Sequence, residues 1–434
     1  MGNEKTCEAG VHGSPSLEHV PDFFCFCYVD SHVSVVVLRV HIGPLIEEER
    51  HHILVAHSRR HVERRRVLSA FRVHIGTLIE EQSHHSLAAI NATSNGDTII
   101  VRDGLYTGDG NRDIDFYGKA VHLMSENGPG NCVIDAEGTA ADKHRGFRFW
   151  SGEGQDSILE GFTIRGGYHD NAGGIYCKYG SSPTIVNNII TANRARDKGG
   201  GIRCKTGSAT IINNAIISNT AGDGGGIRCW LNSSPTVSNC ILWGNTASNG
   251  EQIAINTHAE GPSSLAVRYS DVQGGQAVAY VEEGCALIWG AGNIDADPLF
   301  ADPDNGDYHL KSKYGLWEAA ANGGAGGWVS DEVTSPCTDA GVPGWDASNE
   351  PQPNAGTINI GAYGNTPEAS KSEWITGDVT GDCVVNVLDM INVRNHLYEP
   401  VGSGDNWRYD LTGDGMINVL DMLVVRNNAR NRCE

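Results

Sequence analysis

The chain has 434 residues, a formal net charge of −21 at pH 7, 55 glycines and only 15 prolines. The acidic balance argues against nucleic acid as a partner, because binding of phosphates needs clustered Lys and Arg. No run of 18 apolar residues is present, so no transmembrane helix is predicted. The length is that of two or three domains.

The first 86 residues differ from the rest of the chain. They hold 11 of the 17 histidines, and segment 39–48 recurs as 72–81. The His-His pairs at 51–52 and 84–85 are candidate metal ligands, but adjacent side chains of an extended segment point to opposite sides and do not converge on one ion. We therefore predict a disordered or marginally folded leader over residues 1–86, and no signal peptide is recognised in it.

A strand-rich domain is predicted from Leu87 onward. Residues 88–101 predict a short amphipathic helix, a turn and a first strand. Such a helix would cover the open end of a stack of strands, where unpaired edges otherwise invite association. Further short strands are predicted at Ala120–Met124, Cys132–Asp135, Gly146–Trp150, Gln252–Asn256, Leu265–Val272 and Ala286–Gly290.

The middle of the chain repeats with a fixed period, which indicates a solenoid. Two units alternate: Thr184–Asn193 returns 26 residues later as Thr210–Asn219 and again as Thr236–Asn245, and Gly173–Cys177 returns as Gly200–Cys204 and Gly225–Cys229. Ile, Val and Thr runs between Gly and Asn predict two or three strands per coil, and stacked coils lie about 4.8 Å apart.

Equal positions of successive coils become neighbours in such a stack. The predicted columns are Cys177, Cys204 and Cys229 as buried thiols, Ile175, Ile202, Ile227 and Ile253 as core residues, and Asn187, Asn213 and Asn239 as an amide ladder bonded from coil to coil.

These units resemble the right-handed parallel β-helix repeats of the pectate-lyase-like superfamily, over residues 87–368. The resemblance implies an all-β fold, a right-handed parallel β-helix, but no particular activity, because that superfamily includes lyases, hydrolases, adhesins and inert stalks. Residues 293–364 resemble the closing coils of secreted bacterial β-helix proteins. Their Asp-rich stretch 295–307 is either a cation site or a set of solvated turn carboxylates.

One outer face of the coils is a candidate glycan site. Alternation along each Gly-Gly-Ile-X-Cys-X strand turns Ile and Cys inward and X outward. The outward residues are Tyr176, Arg203 and Arg228 in one column and Lys178, Lys205 and Trp230 in another, with Asp170, Asp197 and Asp223 as a carboxylate row just before them. Arg and Lys bind uronate carboxylates and aromatic rings stack on sugars, so this face suits an acidic polysaccharide.

The same face is a candidate catalytic centre. A polysaccharide lyase needs a base for the proton at C5 and a cation that stabilises the enolate. Lys198, Arg203 or Arg228 would serve, with Ca²⁺ held by Asp197 and Asp223. A hydrolase would instead use two carboxylates about 5–9.5 Å apart. The alternative is that these polar columns are only the solvated surface of a β-helix, since Asp is common in turns.

After a linker at 369–374, residues 375–434 contain two twelve-residue loops, 378–389 and 410–421, each followed by a helical pattern. Ca²⁺ takes six to eight oxygen ligands at about 2.3–2.6 Å, and the spacing of oxygen side chains wraps each loop around one ion. The predicted ligands are Asp378, Thr380, Asp382, the Val384 carbonyl and Asp389 in the first loop, and Asp410, Thr412, Asp414, the Met416 carbonyl and Asp421 in the second.

The final Asp of each loop and the missing entering helix resemble a type I dockerin. The resemblance implies two calcium ions and a cohesin module as partner, contacted by Val387, Leu388, Val419 and Leu420. Cys383 departs from the usual Gly of the loop, and Thr at the third loop position implies a lower calcium affinity. Cys383 and Cys433 are a candidate disulfide.

The sequence as a whole favours a secreted, extracellular, monomeric polysaccharide-active protein, a lyase or glycoside hydrolase, carried by a calcium-dependent dockerin on a cohesin scaffold. A non-catalytic carbohydrate-binding or adhesive β-helix is the alternative, and a structural spacer is a third possibility. The glycan itself is not specified by the sequence.

Overall fold

The structure is a computed structural model. It describes residues 55–57, 85–258, 261–318, 326–373, 376–380, 384–399, 409–412 and 414–431. Most of the predicted leader, the predicted ligand Asp382 and the candidate disulfide between Cys383 and Cys433 therefore lie outside the described residues. No helix in the described part of the chain is long and apolar enough to cross a membrane.

The first described helix, α1 (His85–Ala92), lies at the start of the solenoid, where its Ile90 is fully buried in the core. The predicted capping helix is therefore present. Within the segment predicted as a leader, Val55–His57 forms a strand that pairs antiparallel with Thr98–Val101. Apart from this strand and the first two residues of α1, the prediction of a disordered or marginally folded leader over residues 1–86 falls on residues outside the described part of the chain.

The body of the protein is a parallel β-helix with four sheets, and each sheet is made of strands from successive coils. Sheet A contains Val55–His57, Thr98–Val101, His122–Ser125, Ile158–Glu160, Thr184–Val186, Thr210–Ile212, Thr236–Ser238, Ser264–Arg268 and Ala286–Trp289. Sheet B contains Gly104–Tyr106, Cys132–Asp135, Thr163–Arg165, Ile189–Thr191, Ala215–Ile217, Ile241–Trp243 and Asp271–Val272. Sheet C contains Ile114–Asp115, Phe147–Phe149, Ile175–Lys178, Ile202–Lys205, Ile227–Trp230, Ile253–Asn256 and Tyr280–Val281. The short sheet D contains Tyr168–Asn171, Arg194–Lys198, Thr220–Asp223 and Thr246–Asn249.

The repeat in the sequence sets the register in which successive coils pair. Thr184 pairs with Thr210 and Thr210 with Thr236 in sheet A, while Cys177 pairs with Cys204 and Cys204 with Cys229 in sheet C. The three thiols are free and buried in one continuous core. The prediction of an all-β parallel β-helix followed by a small helical domain is confirmed, with about seven turns.

The asparagine ladder exists, but not at the predicted positions. Asn187, Asn213 and Asn239 have left-handed backbones, with φ of 54°, 50° and 55°, and form the bend between sheets A and B. The ladders lie one and six residues further on. Asn188 Nδ2 donates to Asn214 Oδ1 at 3.1 Å, and a second ladder links Asn193, Asn219 and Asn245 at 3.1 and 3.0 Å.

The segment predicted to form closing coils adds no complete coil. After Ile294, which bridges to Asp271, the described strands pair only antiparallel: Phe300–Asp302 with Asp307–Leu310, and Leu316–Glu318 with Gly327–Val329. Short 3₁₀ turns occur at Gln276–Val278 and Pro303–Asn305.

This segment folds back along the outer face of sheet B. Its Phe300, Tyr308, Ile360 and Tyr363 form a second apolar cluster with outward residues of sheet B such as Ile241. The bend asparagines hold it in place. Asn187 Nδ2 donates to the carbonyls of Ala362 and Gly364 at 2.9 and 2.8 Å, and Asn213 Nδ2 donates to Gly364 at 3.0 Å.

The C-terminal domain contains two helices, α2 (Val387–Asn395) and α3 (Val419–Asn428), which contact each other. Each begins at an Asn N-cap, Asn386 or Asn418, in a capping box whose third helical residue is the last Asp of the preceding loop. The loop spacing found in the sequence thus serves two purposes, since the same Asp closes the loop and caps the helix. A small core joins the two halves: Val379, Val385, Val393, Tyr409, Ile417 and Val425.

Candidate functional site

A groove of about 660 Å³ lies along the outer face of sheet C, with sheet D as one wall. Seven cationic side chains line it: Lys143, Arg145, Arg148, Lys178, Lys198, Arg203 and Lys205. Three aromatic residues, Trp150, Tyr176 and Trp230, line it as well, together with His169, Asn171, Asp113 and Asp197. A strongly basic groove in a chain of net charge −21 indicates an anionic ligand.

The floor of the groove follows from the register of sheet C. Arg148, Tyr176, Arg203 and Arg228 are paired in turn, so they form one outward column. Lys178, Lys205 and Trp230 form the next column. The columns interlock, because Arg203 and Lys205 approach the Trp230 ring to 5.4 and 4.7 Å from its centre, within the range of cation–π attraction.

These columns face outward as predicted, but the first is not exposed to solvent. Tyr176, Arg203 and Arg228 are 8%, 3% and 2% exposed. Sheet D brings polar groups over them. The alternation of side chains along a single strand does not reveal the presence of this second sheet. Arg203 Nη1 donates to Asn171 Oδ1, and Arg228 Nη2 lies 3.9 Å from Asp223.

The groove brings together Lys198, Asp197, Arg203 and all four predicted substrate-binding residues, but it leaves out two predicted catalytic residues. Arg228 donates through Nε to Asn256 at 3.1 Å, and Asp223 accepts from Asn249 at 2.8 Å. Neither lines the groove. Both side chains thus make contacts with the scaffold outside the groove, and their predicted role in catalysis stays a prediction.

The predicted carboxylate row is broken by an irregularity in sheet D. Arg194 pairs with Thr220, and after a register shift Lys198 pairs with Asp223. The period of the sequence predicts Asp197 at the position opposite Asp223. Asp197 binds Arg196 through both oxygens at 3.1 Å. The strand pairing therefore does not place the two carboxylates predicted to hold calcium directly opposite each other. In the described part of the chain, no three His, Cys, Asp or Glu side chains are grouped to hold a metal ion.

Three carboxylates of the Asp-rich stretch 295–307 accept hydrogen bonds from the chain. Asp295 accepts from the Gly274 amide at 2.9 Å and Asp297 from the Leu299 amide at 3.0 Å. Asp307 binds His309 Nδ1 at 2.6 Å. These three carboxylates thus accept hydrogen bonds from the chain, and the two alternatives left open by the sequence both stay predictions.

Burial, and then neighbouring charges, shift the pKa values of several residues that line the groove. Burial, and then the charge of Arg145, lowers the pKa of His169 to about 4, so this imidazole is neutral at pH 7. Burial also lowers the pKa of Arg203 and of Arg145. The hydrogen bond from Arg196, in contrast, lowers the pKa of Asp197 and keeps that carboxylate ionised.

Half of the groove was missed by sequence reasoning. Arg145, Arg148 and Trp150 come from the coil before the regular repeats, and His169 and Asn171 come from sheet D. A signal for two of them was present. Arg148 and Trp150 occupy the outward positions of the predicted strand Gly146–Trp150, since Phe147 and Phe149 are fully buried.

Both C-terminal loops converge their oxygen atoms in the same way. The Thr380 amide and hydroxyl donate to Asp389 Oδ1 at 3.0 and 2.8 Å, and the Thr412 groups donate to Asp421 Oδ1 at 2.9 and 3.0 Å. Asp389 and Asp421 are fully buried without a cationic partner among their hydrogen bonds in the described residues. Buried carboxylates among hydroxyl and carbonyl oxygens fit a hard cation such as Ca²⁺.

The predicted partner-binding residues form an exposed apolar surface at the start of α2 and α3. Val387, Leu388, Val419 and Leu420 are 64%, 53%, 60% and 50% exposed. Apolar side chains this exposed on both copies of a repeat indicate an interface and not a core.

Comparison with known proteins identifies the C-terminal domain. Residues 376–428 match the family model of the type I dockerin domain, and residues 236–341 match the family model described as disaggregatase related. No curated protein matches the chain. Among solved structures, the chain is similar to pectate lyase Pel9A at 14% identity and a TM-score of 0.28, over 63% of this chain and 89% of that one. The chain is thus a parallel β-helix followed by a type I dockerin domain, a class of calcium-binding module whose partner is a cohesin.

Proposed function

We propose that the protein is a secreted, polysaccharide-active β-helix enzyme, held on a cohesin scaffold by its dockerin, and that the groove between sheets C and D binds an acidic glycan. The observation that carries this proposal is the groove itself, in which seven cations and three aromatic rings lie within one channel. Cations bind uronate or sulfate groups, and aromatic rings stack on sugars.

The groove supports β-elimination better than hydrolysis. A hydrolase needs a carboxyl group with a raised pKa as its acid. Asp197 has a lowered pKa, and Asp113 is bound to His144 at 2.7 Å. A lyase needs a base and a cation near the carboxylate of the sugar. Two residues that line the groove, Lys198 and Arg203, are the candidates for the roles of base and cation. Burial lowers the pKa of Arg203.

The test is turnover of the full chain on a panel of acidic and neutral plant or algal polysaccharides. New ultraviolet absorbance from an unsaturated uronide, lost in Arg203→Ala and Lys198→Ala, would establish a lyase. New reducing ends without that absorbance would establish a hydrolase. Binding without either product would favour the second candidate, a non-catalytic carbohydrate-binding or adhesive β-helix. That candidate is also supported by the pairing of both groove carboxylates, Asp113 with His144 and Asp197 with Arg196. The absence of both binding and turnover would end the proposal.

The dockerin is proposed to hold two calcium ions and to bind its cohesin through the exposed starts of α2 and α3. Asp378, Thr380, Asp382, the Val384 carbonyl and Asp389 would hold one ion. Asp410, Thr412, Asp414, the Met416 carbonyl and Asp421 would hold the other. The ions would fix the loops and so the orientation of the two helices. An extracellular location follows from the scaffolds on which such modules are carried.

A further inference from the structure

Two arginines of the groove are held against the same two residues. Arg145 Nη2 donates to the Asn171 carbonyl at 3.3 Å, and Arg203 Nη1 donates to the Asn171 side-chain oxygen. Their guanidinium carbons lie 5.3 and 5.2 Å from the centre of the Tyr176 ring. Asn171 and Tyr176 therefore fix two cations that come from coils on either side of Tyr176.

Both guanidinium groups are buried with spare hydrogen-bonding capacity. Arg145 is 4% exposed and Arg203 is 3% exposed, and within the described part of the chain the Nε of each has no hydrogen-bond partner. A buried N–H without an acceptor costs about 1–3 kcal/mol, and more for a charged group. Two such donors at one point of a groove indicate that a ligand supplies the acceptors.

The acids nearby do not supply them and do not fit a metal ion. The Asp113 carboxylate lies 3.9 Å from Arg145 and is bound to His144, and Asp197 is bound to Arg196 through both oxygens. Of the two carboxylates predicted to hold calcium on the solenoid, Asp223 lies opposite Lys198 in the strand pairing and Asp197 is paired with Arg196. An anion in this groove meets cations of the protein directly.

We propose that Arg145 and Arg203 form a metal-independent subsite for one anionic group of the glycan, a carboxylate or a sulfate ester. This inference rests on the proposed function, since it concerns the same groove. Guanidinium forks bind both groups through paired charge-assisted hydrogen bonds. The subsite sets specificity, because a neutral sugar would leave the Nε groups of both buried arginines without a charged acceptor.

The test is calorimetric binding of the full-length protein at pH 7 to three oligosaccharides of equal length: an oligouronate, a sulfated oligomer and a neutral oligomer. Each is measured in Ca²⁺ and in EGTA. We expect an acidic oligomer to bind with the same affinity, within about twofold, in both solutions, and the neutral oligomer not to bind. Whichever acidic oligomer binds identifies the anionic group.

Variants locate the subsite. Arg145→Gln and Arg203→Gln should each weaken binding by roughly tenfold or more, as expected for a charge-assisted hydrogen bond. Arg165→Gln is the matched control. It removes the same charge from an exposed residue that pairs with Asp135 on sheet B at 2.9 Å, and it should bind as the wild type does. If a Gln variant does not reach the wild-type Tm, Arg203→Lys keeps the charge, loses the fork and should still weaken binding.

The outcomes separate the two proposals. Acidic binding that requires Ca²⁺ overturns the metal-independent subsite and leaves the glycan-binding function intact. Wild-type affinity in both folded Arg variants also overturns the subsite. Failure of all three oligomers to bind in both solutions contradicts the proposed function itself.

Discussion

At the scale of single residues, neighbouring asparagines of one repeat have different roles. Asn187 lies in a left-handed bend that Asn tolerates better than other non-glycine residues, while Asn188 is buried and hydrogen-bonded to the next coil. Its counterpart Asn214 donates to the carbonyls of Ile185 and Ile212, both at 2.8 Å. In the following coil Cys240 occupies this position, and its Sγ accepts a hydrogen bond from the backbone N–H of Asn214 at 3.3 Å.

We expect Asn214→Ala to lower the free energy of unfolding by about 2–4 kcal/mol, because several buried groups lose their partner at once. Cys240→Asn should be neutral or stabilising, since an amide there can donate to Ile211 and Ser238, the carbonyls that Cys240 Sγ contacts at 3.6 and 3.2 Å. Urea unfolding of both variants checks this. A wild-type midpoint for Asn214→Ala would show that the ladder contributes nothing to stability.

At the scale of elements, short irregular strands decide which polar residues meet. The register shift between Arg194–Lys198 and Thr220–Asp223 places Lys198 opposite Asp223 and so separates two carboxylates that equal spacing would stack. In the dockerin, by contrast, the two loop–helix elements repeat without such a shift. Each presents the same exposed apolar pair directly before the buried last Asp of its loop.

We expect Leu388→Asp together with Leu420→Asp to abolish cohesin binding, because both copies of the apolar pair are then charged, while calcium binding is retained. Asp389→Ala together with Asp421→Ala should instead abolish both calcium binding and cohesin binding. Calorimetry with Ca²⁺ and a pull-down with a cohesin module distinguish the two cases. Ile288→Asp, at an exposed apolar residue of the solenoid, is the control, and retained cohesin binding in the Leu double variant would rule out this surface.

At the scale of the whole molecule, the segment after Ile294 closes the protein by folding back on sheet B. Glu350 anchors its later part, since its Oε1 accepts from the Asn359 and Asn365 amides at 2.8 and 2.7 Å. Its Oε2 is buried and has no hydrogen-bond partner in the described part of the chain. Burial raises the pKa of Glu350 from 4.5 to about 8, so the neutral carboxyl is the form that the fold prefers.

A carboxyl group whose pKa is raised by folding contributes its full stabilisation at pH values below its pKa in the unfolded chain. This contribution is lost as the pH rises through its pKa in the folded protein. We therefore expect the contribution of Glu350 to the free energy of unfolding to fall between pH 4.5 and about 8. The fall is about 1.4 kcal/mol for each pH unit in this range. Glu350→Gln, which stays neutral, should lose this pH dependence of Tm, whereas Glu283→Gln at an exposed site should keep it. Identical pH profiles for wild type and Glu350→Gln would contradict the role assigned to Glu350.

Much of the fold was determined by the sequence alone, because a solenoid is a local structure. A repeat of 25 to 27 residues fixes which residues stack, so the Cys and Ile columns and the parallel register follow from spacing. The capping helix follows from the local sequence before the first strand. The twelve-residue loops of the dockerin are equally local. The two outward columns of the groove follow from strand alternation for the same reason.

Only the tertiary structure decided the rest, because it depends on contacts between segments far apart in sequence or on irregular steps within a coil. The shift in sheet D moved Asp223 away from Asp197, and burial under that sheet took Arg228 out of the groove. Arg145 joined Arg203 through Asn171, which no repeat encodes. The fold-back on sheet B gave the bend asparagines partners about 150–177 residues away, and no local pattern carries that information.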